Sequence, residues 1–371
     1  MKLLLLNYEF PPLGGGASPV SFEIGRRLVA EYGFDIDVVT MGFEGLPARD
    51  ELSPGMRVYR VPCWRSKKEI CHPWEQATYL FTGYRKAAAL HRNKTYDICH
   101  THFLIPTGLI AEKLHRRFGL PYVVTAHGSD VPGFNNDRFK LLHTFTGPLL
   151  RRVVAGARRV VAPSAFLEQL MRAQIRAGFD EKLCVIPNGI AIDNITPASK
   201  RNIILGTGRL LPRKGFQHLL QAVADEVLGY EVHICGDGPM MATLKDIQKR
   251  SKTKIVLHGW MDNRSAAYRK LLETAAIYVL PSLKENASIA LLEAMAVGAA
   301  VVTTNVSGCP ETVGPEGLLV EPENASAIRE VLLRLVKDEA LRQRCQQAMR
   351  ARVEKVFSWD RVIAHYRDVL S

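Results

Sequence analysis

The sequence predicts an α/β chain of two doubly wound units, each built on a parallel sheet. Three observations predict it. Short apolar stretches alternate with stretches of helical periodicity, the pattern of strand–helix–strand crossovers. The alternation starts twice, each time as a strand, a glycine-rich loop and a helix. Between the two runs lies Ile186-Pro187-Asn188-Gly189, turn chemistry suited to a linker. With 371 residues, 47% of them hydrophobic, the chain is long and apolar enough for two cores.

The elements follow in order. Lys2 to Asn7 reads as a buried strand, running through Pro11-Pro12-Leu13-Gly14-Gly15-Gly16 into a helix with Val20, Ile24 and Leu28 on one face. Ile36 to Thr40 and Tyr96 to His100 read as further strands. A helix is expected near 107–118, then a strand from Pro121 to Thr125 that ends at Ala126-His127-Gly128. The pattern restarts with Arg201 to Leu205, followed by Gly206-Thr207-Gly208-Arg209 and Lys214-Gly215. The next helix carries Phe216, Leu219, Leu220 and Val223 on one face. Strands are expected at Glu231 to Cys235, Lys254 to Leu257, Ile277 to Leu280 and Ala300 to Thr304. In open parallel sheets ligands bind beyond the carboxyl ends of the strands.

Composition narrows the function classes. The net charge of +12 favours polyanionic partners: nucleic acid, anionic lipid or small phosphorylated ligands. The cationic excess is heavier over residues 1–190 than beyond. Seven cysteines (Cys63, Cys71, Cys99, Cys184, Cys235, Cys309, Cys345) are scattered without a CxxC pair. That fits a reducing compartment and argues against a disulfide framework or a thiolate zinc site. No apolar run reaches the roughly 18 residues of a membrane span. The opening Met1-Lys2-Leu3-Leu4-Leu5-Leu6 is stopped by Asn7 and Glu9, too soon for a signal peptide. A cytoplasmic protein is the expectation.

Three segments could carry chemistry. Gly14-x-Gly16 is followed by Pro19 where a dinucleotide fingerprint needs its third glycine, which disfavours a dehydrogenase. What remains is a loop whose backbone could approach an anion at a helix N-terminus, or a flexible loop only. In Gly206-Thr207-Gly208-Arg209-Leu210-Leu211-Pro212-Arg213-Lys214-Gly215, cations sit just before a helix start, where they oppose its dipole. A bound anion would explain them. In the third segment, a strand ends in a loop carrying Glu285, and Glu293 falls among Leu291, Leu292 and Met295, a costly place for a carboxylate without a partner. Eight helical residues span about 12 Å, wider than the roughly 5–9.5 Å of a glycosidase acid/base pair. The two glutamates are better read as separate anchors for sugar or ribose hydroxyls.

The Gly-Gly loop, GRLLPRKG, CGDGP, LHGW, PSLKE and the Glu-x7-Glu helix occur in order over nearly the whole chain. Together they resemble the retaining, nucleotide-sugar-dependent glycosyltransferases of family 4. The resemblance implies a GT-B fold, two Rossmann-like parallel-sheet domains facing across a cleft. It places domains at 1–187 and 198–355, with a C-terminal helix in 356–371, after Phe357-Ser358-Trp359-Asp360, returning to the first. It also implies roles. Arg209 and Lys214 would hold the donor diphosphate, aided by backbone at Gly15, Gly16 and Gly236. Glu293 would bind the ribose. Glu285, with the backbone of Asn286, Ala287, Ser288 and Ile289 after it, would hold the transferred sugar, and His127 would lie near the anomeric centre. His127, Glu285, Arg209 and Lys214 would form the catalytic set, with a nucleoside-diphosphate sugar as co-substrate and no metal or other cofactor.

The chain departs from the family pattern at three places. Glu285-Asn286-Ala287-Ser288 stands where Glu-Gly-Phe-Gly is usual. Gly298-Ala299-Ala300-Val301 lacks the proline of Gly-x-Pro-Val. The aspartate that usually follows Asn-Gly is displaced to Asp193.

On the acceptor side, Trp64, Lys67, Lys68, Trp74, Tyr79, Phe81, Tyr84, Arg85 and Lys86 interleave aromatics with cations. That mixture suits a sugar-stacking groove or an anionic membrane surface; solvated helix faces are the plain alternative. Asp130 joins this acceptor-side set. Arg151-Arg152 through Arg158-Arg159 forms a second basic segment. The acceptor stays open between a glycan, a lipid-linked molecule and a small molecule, with the enzyme peripheral at the inner membrane face in the lipid-linked case. Two rivals stand beside the glycosyltransferase: a nucleotide-sugar epimerase of similar architecture, and a nucleic-acid-binding protein, which would leave Glu293 and both glycine loops without a purpose. Nucleic acid is therefore not expected as a partner.

Overall fold

The structure, a computed structural model, describes residues 1–134, 136–175, 180–192 and 198–371. The chain divides into two compact units, Met1–Asn188 with Asp360–Ser371, and Gly189–Trp359. Asp193 lies outside the described residues.

In the first unit the strands are β1 (Lys2–Leu6), β2 (Asp35–Met41), β3 (Arg49–Ser53), β4 (Met56–Val61), β5 (Ile98–His102), β6 (Tyr122–Thr125), β7 (Arg159–Ala162) and β8 (Leu183–Val185). They lie in the order β3-β4-β2-β1-β5-β6-β7-β8, parallel except for β3 against β4. The helices are α1 (Ala17–Tyr32), α2 (Pro73–Lys94), α3 (Thr107–Phe118), α4 (Asn136–Gly156) and α5 (Ala165–Ile175). Leu3, Leu4, Leu5 and Leu6 are wholly buried, which is why β1 reads as an uninterrupted apolar run.

The strand expected at Tyr96 to His100 starts and ends two residues later. The Tyr96 N–H is diverted to His91 Nδ1, and the first bond to β1 is that of the Asp97 N–H to Lys2 O, which leads into the Leu3–Ile98 pairing. Thr101 and His102 complete the strand, and both are buried side chains that apolar patterning does not register. The expected strands of this unit also leave out β3, β4, β7 and β8. β3 is a charged edge strand, and Arg57 and Arg60 break the apolar run of β4.

The second unit has β9 (Arg201–Thr207), β10 (Glu231–Cys235), β11 (Ile255–Gly259), β12 (Ala275–Leu280), β13 (Ala300–Thr304) and β14 (Leu318–Val320). Their order is β11-β10-β9-β12-β13-β14, all parallel. The helices are α6 (Phe216–Val223), α7 (Met241–Arg250), α8 (Ala266–Thr274), α9 (Ile289–Ala296), α10 (Cys309–Val313), α11 (Ala325–Lys337) and α12 (Glu339–Arg352). Phe216, Leu219, Leu220 and Val223 bury the inner face of α6.

The last helix, α13 (Trp359–Leu370), belongs to the first unit from Asp360 onward. There Asp360 pairs with Arg27, and the Tyr366 ring lies 5.6 Å from that of His100.

Candidate functional site

In the second unit β9 and β12 are neighbours, and the chain leaves them toward opposite edges of the sheet. Such a switch point opens a crevice beyond the strand ends, bounded here by the loops after β9 and β12. These loops are stitched together. The Leu283 N–H donates to Arg213 O at 2.8 Å, and Lys214 Nζ pairs with Glu285 Oε1. The same oxygen accepts a hydrogen bond from Ser282 Oγ at 3.0 Å. Gly215 adopts φ +73°, and a Cβ there would lie 1.9 Å from Pro281 O. The loop carrying Lys214 can therefore press on the next only through glycine. Arg209 is exposed on the same loop. The loop after β10 closes in by the same device: a Cβ on Gly236 would fall 1.8 Å from Gly208 O. Close loop packing accounts for Gly236.

α9 follows directly. Leu291, Leu292, Ala294 and Met295 are buried, while Ile289, Ala290 and Glu293 form a half-buried face at i, i+1 and i+4. Burial raises the Glu293 carboxyl to about 7, against a weaker lowering by the Tyr268 hydroxyl, which donates to Oε2 at 3.4 Å. Tyr268 and Tyr278 both reach Thr207 Oγ1, at 3.5 and 2.8 Å, so Glu293 borders a hydroxyl cluster at the end of β9. Ser288 occupies the N-cap position of α9 without accepting a hydrogen bond from the helix, leaving the first-turn N–H groups without that cap. The Gly308 N–H donates to Glu285 O at 3.0 Å, and a Cβ on Gly308 would meet Asn286 O at 1.8 Å. The 285–288 segment is thus fixed from behind by the start of α10. Asn286 and Ala287 are half-buried.

In the first unit the glycine loop splits in role. Gly14 needs its positive φ of +96° and crowds Glu9, whereas a Cβ at Gly15 or Gly16 would meet open space. Gly16 starts α1 without a side-chain cap and with no acidic residue in the first turn, while the Gly15 N–H before it already donates to Glu9 Oε2 at 3.2 Å.

His127 follows β6. Its backbone N–H donates to Asp130 Oδ1 at 2.9 Å, and its ring lies 4.6 Å from that of Phe103. Its Nε2 is 3.0 Å from His102 Nδ1. Burial lowers the His127 imidazole to about 3, so it is neutral at pH 7. Asp130 is buried, with Oδ2 accepting the Leu104 N–H at 2.7 Å; its carboxylate ties the loops after β5 and β6 together. His100 and His102, both wholly buried, were not singled out from sequence as site residues. A His-x-His spacing on a strand, which puts both rings on one face, was the available signal.

Trp64 and Trp74 are 71% and 56% exposed, with ring centroids 6.2 Å apart at 64°. With Phe43, Leu46, Pro62 and Glu44 they line a groove of about 610 Å³ beyond the ends of β2 and β4. Lys67 and Lys68 are exposed beside it, the Lys68 cation 5.7 Å from the centre of the Phe43 ring. Tyr79 is buried and donates to Val39 O, so it belongs to the core. In the second basic segment Arg152 pairs with Glu112, and Arg158 and Arg159 donate to Ser371 O and Glu181 O.

Two family models match the chain: one described as glycosyl transferases group 1 over residues 190–352, and one described as glycosyltransferase family 4 over residues 14–194. The chain belongs to the group 1 glycosyltransferases. A UDP-Gal:alpha-D-GlcNAc-diphosphoundecaprenol alpha-1,3-galactosyltransferase of Escherichia coli is 25% identical, the match covering 92% of this chain and 89% of that one. Among solved structures, a sucrose-phosphate synthase of Thermosynechococcus elongatus superposes with a TM-score of 0.81 at 22% identity, covering 99% of this chain and 98% of its own. HepE of Anabaena, solved in complex with UDP, gives 0.79 at 16% identity, covering 100% and 99%. The fold is of GT-B type. In this glycosyltransferase, the second unit brings Lys214, Glu285 and the start of α9 together at the switch point, and sets Glu293 one turn further along.

Proposed function

We propose that the protein transfers a hexose from a nucleoside-diphosphate sugar to a glycan, lipid-linked or small-molecule acceptor, with retention of configuration. The observation that carries this reading is the Lys214–Glu285 pair beside the uncapped start of α9. A cation, a carboxylate and helix N–H groups thereby meet at one crevice between loops that pack closely through glycine. Lys214, with Arg209 on the same loop, would receive the diphosphate. Its charge is matched by Glu285 in the ligand-free protein and is released to the phosphate on binding. Glu285 then accepts hydroxyls of the sugar, and Glu293 accepts the ribose hydroxyls. HepE with bound UDP and the UDP-Gal-dependent relative support a nucleotide donor.

In the reaction the bond between the anomeric carbon and the phosphate oxygen breaks, and both electrons leave with the diphosphate. The acceptor oxygen bonds to the same carbon, and its proton passes to the departing phosphate oxygen. Fixed cations and N–H dipoles stabilise the developing negative charge most, which lowers the barrier rather than merely binding the donor. We assign them the charge neutralisation that a metal ion would otherwise supply. Retention by attack on the face the diphosphate leaves is supported by the family resemblance, and His127 is assigned contact with the transferred sugar. The Trp64–Trp74 groove is assigned to the acceptor, with Lys67 and Lys68 drawing the protein to an anionic membrane when that acceptor is lipid-linked.

The test is release of nucleoside diphosphate from a panel of UDP-, GDP- and ADP-hexoses in the presence of a chelator, with the anomeric signal of the product read by NMR. Turnover of one donor with an unchanged anomeric configuration supports the reading. Product of inverted configuration, or activity restored only by added metal, would overturn the corresponding part. Epimerised nucleotide sugar without acceptor would favour the epimerase instead.

A further inference from the structure

We propose that His102 is a positioning residue for His127: by donating its Nδ1–H to His127 Nε2, it fixes the tautomer in which His127 carries its proton on Nδ1. This rests on the reading that His127 contacts the transferred sugar. His100 and His102 lie two residues apart on β5 and so face the same side of the sheet. Their ring centroids are 4.4 Å apart, and His102 lies 5.2 Å from His127. The His102 Nδ1 to His127 Nε2 distance of 3.0 Å is that of a hydrogen bond. Burial holds all three imidazoles well below their ordinary pKa, so each is neutral near pH 7 and the shared bond contains one proton.

Which ring owns that proton follows from the far side of His102. Its Nε2 is buried and has no hydrogen-bond partner among the described residues. Were His127 the donor, the His102 proton would sit on that Nε2, a buried N–H with no acceptor among the described residues. A buried donor without a partner is rarer in folded proteins than an unfilled acceptor. With His102 as donor, only a lone pair is left unfilled. The neighbouring ring repeats the pattern. His100 Nε2 lies 2.9 Å from Thr125 Oγ1, and His100 Nδ1 is the atom without a partner. Both histidines therefore bury a lone pair and spend their proton on a neighbour. His127, its backbone held by Asp130 and its ring by Phe103, is left with Nε2 as acceptor and Nδ1–H as donor. A neutral ring in that state donates a hydrogen bond to an oxygen and does not act as a base through Nδ1.

The experiment uses full-length protein labelled with 15N-histidine and long-range 1H–15N correlation spectra at pH 7, with His127→Gln identifying the resonance. The wild type is expected to show His127 protonated on Nδ1. His102→Phe should shift it toward the Nε2–H form, and His102→Asn, whose amide can donate from a similar place, should restore it. In the hexose-nucleotide assay, kcat should fall about tenfold in His102→Phe, the effect of one lost hydrogen bond. KM should hold and His102→Asn should recover part of the loss. A wild-type His127 protonated on Nε2, or an unchanged tautomer in both variants, would overturn the proposal. Full activity in His127→Gln would refute the reading of His127 while leaving the tautomer result standing. Full activity in a His102→Phe variant with a shifted tautomer would refute the positioning role alone.

Discussion

Glu293 gives the sharpest prediction because its ionisation falls inside the working pH range. Burial places its carboxyl at about 7, and Tyr268 is the hydroxyl that already donates to it. A ribose that donates two hydroxyls needs the ionised form, so nucleotide binding must displace the proton wherever one is bound. The apparent Kd then rises by the factor 1 + 10^(pKa − pH). That is about elevenfold at pH 6 and close to one at pH 8, a difference of about tenfold or ~1.4 kcal/mol. The last proton of the diphosphate titrates in the same interval, so Glu293→Gln is the necessary reference. Its affinity carries the ligand's own titration without that of the carboxyl. Calorimetry of the nucleoside diphosphate at pH 6, 7 and 8 should show the wild type losing about tenfold more affinity than Glu293→Gln on acidification. Equal losses in the two proteins would refute the assignment of Glu293 to the ribose.

Three further outcomes are expected. Asp130→Asn leaves one of two backbone N–H groups facing an amide N–H instead of a carboxylate oxygen, so thermal unfolding should report a loss of about 1–3 kcal/mol. An unchanged melting temperature would mean that the loops after β5 and β6 are held by other contacts. His100 has a folded-state pKa of about 3 against roughly 6.5 unfolded. The unfolded chain thus binds more protons near pH 5, and the stability present above pH 6.5 is lost as pH falls. The slope of ~1.4 kcal/mol per pH unit gives about 2 kcal/mol between pH 6.5 and 5. The raised pKa of Glu293 acts in the opposite direction, so denaturant curves should be read as wild type minus His100→Gln, and a pH-independent difference would contradict the account. Finally, Trp64→Ala with Trp74→Ala should raise KM for the acceptor about tenfold while nucleotide affinity holds, because the groove lies in the first unit. Weakened nucleotide binding in that variant would remove the groove from the acceptor side.

The fold was legible where burial was simple. Leu3 to Leu6, the face of α6 and the strands at Glu231 to Cys235 and Ala300 to Thr304 stand out because both faces of a parallel strand, or one stripe of a helix, are apolar. β3 and β4 escaped because an edge strand carries charges and its neighbour carries Arg57 and Arg60. The end of β5 escaped because its buried residues are threonine and histidine. Of the candidate site, Lys214 and Glu293 stand out in the sequence as charges in costly places and Glu285 as a carboxylate on a strand-to-helix loop, features that local sequence alone can register. His102 does not, since its significance lies in a ring nitrogen 25 positions away in sequence, brought near only by the pairing of β5 with β6. Gly236 was assigned to the donor on the resemblance, and the structure adds a packing demand that no spacing rule contains.

The most direct test of the central claim, a nucleoside-diphosphate site built on Lys214, is calorimetric titration of UDP, GDP and ADP in the presence of EDTA into the wild type and Lys214→Met. One nucleotide should bind with a Kd on the order of micromolar, and Lys214→Met should weaken it at least tenfold, about 1.4 kcal/mol or more. Binding of equal strength in the two proteins, or of no nucleotide by the wild type, would contradict the claim.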